Sequence, residues 1–168
     1  ELEGTYPLPE AQLDRFLFNV VLDYLGADDE LAVLQRFTTR VDLPPVEVCT
    51  TADDILKFQW LTRQVPVSES VSRYAANLVR GSRPSDPLAT DAVKRYVKFG
   101  ASVRATMFIA LASKARALLD GRFHVTEEDV RALALPILRH RVLTNYHAES
   151  DGQSVDDVLR TLLTAKAG

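Results

Sequence analysis

The sequence predicts a mainly α-helical fold: a helical bundle with short β segments, preceded by a lone helix and strand. Three observations point there. The stretch from Gly100 to Gly121 is apolar around nearly its whole circumference, and a helix of that kind is buried nearly all round by other helices. Several further stretches carry apolar residues at helical spacing behind a Ser or Thr cap. Finally, the one run that reads as a buried strand, Phe16 to Leu22, has no comparable strand to pair with.

Taken in order, Glu3 to Glu10 is a Gly/Pro loop, and Pro9 can open a short helix over Ala11 to Asp14. Phe16-Leu17-Phe18-Asn19-Val20-Val21-Leu22 follows as the strand. A strand apolar on both faces needs a sheet, which is expected in sequence outside these residues. Asp28 to Phe37 predicts a helix with Leu31, Leu34 and Phe37 inward. Leu43-Pro44-Pro45 breaks the chain, and Thr51 with Asp54 caps a helix bearing Ile55, Phe58 and Leu61 on one stripe.

Ser68 starts a helix holding Val71, Tyr74, Ala75, Leu78 and Val79, closed near Gly81. Thr90 or Asp91 starts another through Val97, just before the central one, which Ser102 caps and Gly121 ends. Thr126 and Asp129 open the next helix, which Pro136 is expected to kink or split near Leu135. Ser154 and Asp157 open the last, with Val155, Val158, Leu159, Leu162 and Leu163 on one face. The segments V-E-V-C-T-T, V-P-V-S-E and F-H-V-T-E each place a short β-prone stretch before a cap. At least two of them are expected to pair as a ladder.

With 46% hydrophobic and 26% charged residues the chain is of ordinary globular composition. Its length suits one large domain, or a small one plus part of another. A net charge of −3 argues against a dedicated nucleic-acid binder. Between Val71 and Arg104, however, seven cations (73, 80, 83, 94, 95, 98, 104) face two anions (86, 91), a surplus of five. The single cysteine, Cys49, excludes an internal disulfide and fits a reducing, cytoplasmic setting. No signal peptide or membrane-spanning run is visible, and the chain starts at Glu1 rather than Met.

Complete catalytic machinery is missing from the pattern. There is no phosphate-binding G-x-x-x-x-G-K-[ST] loop and no Gly-rich dinucleotide loop. His124, His140 and His147 lack zinc spacing, so no metal site is assigned, and no nucleophile–base pair can be named. Two arginines remain of interest. Arg104 lies in the first turn of the central helix, where unpaired N–H groups already carry positive partial charge. A cation there either meets an anion such as phosphate or pairs with a nearby carboxylate. Arg15 falls where the short helix meets the strand. It either reaches a phosphate across an interface or pairs with Asp14 or Glu10.

E-G-T-Y-P-L-P-E-A-Q-L-D-R-F at Glu3 to Phe16 strongly resembles the segment after sensor 1 in MoxR-type AAA+ ATPases. G-A-S-V-R-A at Gly100 to Ala105 looks like their sensor 2 motif, and V-T-E-E-D-V-R-A-L-A, L-R-H-R-V and S-V-D-D-V-L are similar to their later segments. The resemblance covers essentially the whole chain. It implies that residues 1–25 are the C-terminal edge of an incomplete AAA+ α/β core, and 26–168 the helical lid domain. By the same resemblance Arg15 is an arginine finger acting in trans, and Arg104 is the sensor 2 arginine that reads nucleotide phosphate. Relatives use the sensor 2 arginine on their own nucleotide or on a neighbour's. Proline commonly stands in the family where this chain has Val103.

The full-length protein is then expected to use ATP and Mg and to self-associate into a ring, a hexamer by resemblance. It would remodel or mature clients, with von Willebrand A-domain proteins among its partners. These 168 residues alone would be inactive and hold no cofactor tightly, since the phosphate-binding loop, the magnesium-binding motif and sensor 1 are not in them. Two other functions compete: a free-standing helical interaction module, and a helical nucleic-acid binder using the basic surplus.

Overall fold

A computed structural model describes residues 8–39 and 45–165. Residues 3–7 of the expected Gly/Pro loop and residues 43–44 of the proline break lie outside them. The chain divides into two compact units, Trp60–Gly168 together with the segment up to Asn19, and Val20–Gln59. The domain boundary expected after Leu25 falls inside the second unit.

The larger unit is a helical bundle. It contains α1 (Glu10–Leu13), α4 (Glu69–Gly81), α5 (Asp91–Tyr96), α6 (Val103–Leu119), α7 (Glu127–Leu138), α8 (Tyr146–Ser150) and α9 (Val155–Ala165). Nearly every helix begins where a side chain can satisfy its first free N–H groups. Ser68 accepts from Val71, Thr90 from Val93 and Ser102 from Arg104. Thr126 and Asp129 exchange bonds as a reciprocal capping box, as do Ser154 and Asp157. Gly121 has φ 72°, and the Arg122 amide returns to the Ala117 carbonyl at 2.7 Å, which closes α6 in a Schellman turn.

The core lies where α6 packs against α4 and α7, with α9 against α5 and α7. Leu78, Ile109, Ile137, Leu138, Leu159 and Leu162 are fully buried there, each contributing about 1.5–3 kcal/mol by leaving water. The all-round burial expected of α6 is not found. Its small residues Ala105, Ala112, Ser113 and Ala117 face inward with Ile109, whereas Val103 and Met107 remain exposed at 68% and 66%. Alanines and a buried serine let neighbouring backbones approach closely on one side only.

Two ion-pair groups fix the turns. Asp129, 1% exposed, takes both terminal nitrogens of Arg122 at 2.8 and 2.6 Å, and also caps Thr126. The Arg122 guanidinium holds its carboxyl well below the ordinary carboxylate range. Asp151 gathers Arg95 at 2.6 Å and the Tyr96 hydroxyl at 3.1 Å.

Two expected β features fail in informative ways, and one of the two effects weighed for Pro136 is not seen. Among the described residues the ladder joins β1 (Val97–Phe99) to β2 (Leu143–Thr144), antiparallel. None of the three pre-cap segments belongs to it. Two of those do meet through one bond, Val125 N–H to the Pro66 carbonyl at 3.4 Å, but one bond is no ladder. Pro136 does not split α7, which runs unbroken to Leu138; so near the helix end only one N–H is lost, and few later turns need it.

The Phe16–Leu22 strand is absent as well. Residues 18–26 have no regular structure, and Phe16, Val20, Val21 and Leu22 are exposed. The backbone groups a sheet would have paired go instead to the end of α7 in part, Asn19 N–H reaching the Pro136 carbonyl at 2.8 Å.

The smaller unit holds α2 (Ala27–Thr39) and most of α3 (Ala52–Gln64). Both helices form as their caps and spacing predict, and Thr51 and Asp54 exchange bonds at 3.2 Å. Their apolar stripes are not buried as expected: Leu34, Phe37, Leu56 and Phe58 are all more than half exposed. No helix among the described residues is long and apolar enough to cross a membrane.

One backbone crossing positions the start of α6. Ser82, fully buried, donates to the Val79 carbonyl at 2.7 Å and accepts from the Ala101 N–H at 3.0 Å. Gly100 passes so close that a Cβ there would strike the Ser82 carbonyl oxygen, lie 2.6 Å from its carbon and 2.7 Å from the Arg83 Cα. Gly100→Ala is therefore expected to cost about 1–3 kcal/mol by overpacking. Chemical denaturation of the variant checks this, and an unchanged midpoint would show that the crossing yields freely.

Candidate functional site

The site forms where α1, the start of α6 and the end of α7 converge in the larger unit. Pro9 opens α1, its carbonyl accepting from Gln12 at 2.8 Å. The chain then turns through Asp14 and Arg15, whose N–H groups return to Glu10 and Gln12 at 2.9 and 3.1 Å. This compact turn presents Asp14 to one side and leaves Arg15 exposed.

Asp14 is the shared anion. One carboxylate oxygen accepts from Arg104 Nη1 at 2.6 Å and from the Ser102 hydroxyl at 3.2 Å. The other accepts from Arg141 Nε at 3.0 Å. Arg104 thus takes the carboxylate alternative weighed for it, while its side chain stays 45% exposed. Arg15 takes neither of the partners weighed for it. Among the described residues its guanidinium forms no ion pair, because Asp14 is committed to the other two arginines.

Arg141, whose side chain is 1% exposed, is the residue that sequence reasoning missed. Besides the carboxylate, it donates to the Asp14 carbonyl at 2.9 Å, to the Leu17 carbonyl at 3.4 Å, and to the carbonyls of Phe16 and Ile137. Its guanidinium also lies 5.0 Å over the Phe108 ring of α6. Burial pulls its pKa below the usual guanidinium value, with Asp14 opposing the shift. Only the quoted L-R-H-R-V signalled it, as one arginine among several.

The neighbours of Arg141 work on the same segment. Arg139 donates to the Asn19 carbonyl at 3.1 Å while paired with Asp156 at 2.7 Å. His140 Nε2 lies 3.1 Å from the Phe16 carbonyl and 2.6 Å from Arg141 Nη1. Nε2 can donate to the first only when protonated and accept from the second only when not. Either way the neutral ring suffices. Burial pushes the His140 pKa down, aided by the charges of Arg141 and Arg139 against Phe16 and Asp14. A cleft of about 240 Å³ opens beside these groups, lined by Glu10, Asp14, Phe99, Ser102, His140 and Arg141.

Chemically the site is a set of donors held around one carboxylate: the Arg104 cation at a helix N-terminus, the Ser102 hydroxyl and the buried Arg141 cation, with Arg15 exposed on the adjoining turn. That set suits phosphate oxygens. Among the described residues no group of three or more His, Cys, Asp or Glu gathers. The basic surplus from Val71 to Arg104 is largely offset, since Arg73, Arg80, Arg95 and Arg104 each pair with a carboxylate.

The family described as the AAA lid domain matches residues 89–162, from the α5 cap through α9. Chaperone MoxR1 of Mycobacterium tuberculosis is 34% identical over 99% of this chain and 44% of its own length. Over nearly its whole length this chain is similar to part of a MoxR chaperone, and residues 89–162 match the AAA lid domain. The uncharacterized protein YeaC of Bacillus subtilis is 31% identical over 98% of this chain and 49% of its own length. A crystal structure of a candidate ATPase from Cytophaga hutchinsonii superposes with a TM-score of 0.88 at 37% identity, over 98% of this chain and 50% of that one. The chain therefore spans about half the length of the relatives it matches.

The depressed His140 pKa has a pH consequence. The unfolded chain takes up this proton near 6.5 and the folded chain only at lower pH. The stability that neutral His140 contributes is thus complete above 6.5 and lost as pH falls through the folded value. Urea unfolding midpoints should fall with pH across that window, and His140→Gln should flatten the slope. A variant with the parental slope would show that His140 does not carry the effect.

Proposed function

We propose that this chain is the lid portion, with the adjoining edge of the α/β core, of a MoxR-like AAA+ ATPase. In that reading residues 1–25 belong to the core and 26–168 to the lid. The full-length protein binds and hydrolyses ATP with Mg as a ring, hexameric by resemblance, and remodels or matures client proteins. Partners with von Willebrand A domains are part of the same proposal. The 168 residues alone lack the means to hydrolyse ATP.

Arg104 is proposed as sensor 2 and Arg15 as an arginine finger offered to a neighbouring subunit. The supporting observation is how the two differ in partners. Arg104 sits at the start of a 17-residue helix with a carboxylate already against it, which marks the spot as one that attracts an anion. An exposed ion pair of this sort is worth about 1 kcal/mol or less. A triphosphate, carrying more charge and accepting bidentately, would displace it. Arg15 projects from a firmly bonded turn with its charge uncommitted, as a group meant for a partner outside the subunit would.

The test uses the full-length protein. Arg15→Ala should lower ATP turnover by about 10³–10⁵-fold, the range for removing an arginine finger. Arg104→Ala should weaken nucleotide binding or turnover by at least about tenfold, in keeping with one lost charge-assisted bond. Steady-state hydrolysis and sizing of the assembly check both. Parental turnover in both variants would refute the assignment.

A further inference from the structure

Arg15 gains its position from a residue far away in sequence. Arg141 contacts the chain on both sides of it: the Asp14 carboxylate and carbonyl before, the Phe16 and Leu17 carbonyls after. Nothing in the guanidinium's reach is Arg15 itself. With the residues before and after it tied to one rigid, planar group, residue 15 has little backbone freedom, while its side chain stays exposed and without an ion pair among the described residues.

Other anchors extend the same brace. His140 meets the Phe16 carbonyl at 3.1 Å, and Asn19 is held by Arg139 and by the Pro136 carbonyl. The clamp is therefore the turn that follows α7 closing on the segment 14–19. Its centre is buried, with the Phe108 ring beneath the guanidinium. A solvent-exposed salt bridge would not hold the segment so firmly.

We propose that Arg141 is a positioning residue for Arg15, setting the angle at which that arginine leaves the subunit. The inference rests on the reading of Arg15 as a finger acting in trans. Since the planar fork contacts four carbonyls and a carboxylate at once, lysine cannot replace it: an ammonium has three donors and no plane. A lysine at 141 keeps the charge and loses the clamp.

In the full-length protein, Arg141→Lys is expected to lower kcat for ATP by about 10²-fold, the scale of an ångström-sized misplacement, while KM stays within about twofold. The double variant Arg15→Ala/Arg141→Lys should be no slower than Arg15→Ala alone. Rings mixed from Arg141→Lys subunits and subunits with an intact Arg15 but a disabled ATP site should regain turnover, because the second kind lends its finger to the first. Arg141→Gln serves as the second variant, with unfolding midpoints recorded for both.

Additive losses in the double variant, or no recovery on mixing, would overturn the proposal. So would global unfolding of both Arg141 variants, since Arg141 would then hold the whole unit rather than Arg15. Parental kcat in Arg141→Lys beside a crippled Arg15→Ala would sink the positioning role and leave the finger assignment intact. Parental kcat in Arg15→Ala would sink the finger assignment itself.

Discussion

A guanidinium buried to 1% exposure is the constraint on which the arrangement depends. Taking such a cation out of water costs several kcal/mol unless every donor is matched. Arg141 has five N–H groups. Around them stand the Asp14 carboxylate, the carbonyls of Asp14, Phe16, Leu17 and Ile137, and the His140 ring nitrogen. Four of these acceptors belong to residues 14–17, so the segment cannot take another course without leaving the cation unmatched. A stretch with exposed phenylalanines and no sheet to join is thus given a definite shape by one side chain 124 or more positions away.

Asp14 extends that constraint to the start of α6. Its two oxygens divide the work, one toward Arg141 and one toward Arg104 and Ser102. The partners are unequal. Arg141 is buried, while Arg104 is nearly half exposed and open to competition from other anions. If Arg104 exchanges its carboxylate for another anion, Asp14 still keeps its 3.0 Å bond to Arg141, and the clamp survives. The helix N-terminus can therefore change its partner without releasing residues 14–17. In the proposed ATPase this separates reading a phosphate at Arg104 from presenting Arg15.

Much of the helical framework was legible because caps are local chemistry. Ser68, Thr90, Ser102, Thr126 and Ser154 lie within three residues of the N–H groups they satisfy, and the sequence displays both ends of each bond. Gly121 was readable for the same reason. The ladder of Val97–Phe99 with Leu143–Thr144 was not, because strands of two and three residues carry no period to detect. Phe16 to Leu22 looked like a strand because an apolar run fits one, yet a run cannot declare whether its sheet is present. Arg15 and Arg104 were singled out through a family motif and a misplaced charge. Arg141 was passed over since nothing local separates a buried arginine from its exposed neighbours in R-H-R; the information lies in a contact across more than a hundred residues.

The exposed Arg15 side chain makes sense only together with that fixed backbone. Ordering a residue's backbone costs about 1–2 kcal/mol, and immobilising a long arginine side chain up to about 2 more. Here the first cost is met during folding, by bonds to Arg141 on both sides. Only the side chain is left to be ordered when it meets a ligand. A finger on a loose loop would lose both at the moment of contact, and its charge would spend much of its time away from the target. Holding the backbone and freeing the side chain gives reach with a fixed point of departure, which is what an arginine serving another subunit requires. In the proposed function, burying the cation that fixes the point and exposing the one offered to a neighbour would divide those tasks between two otherwise identical side chains.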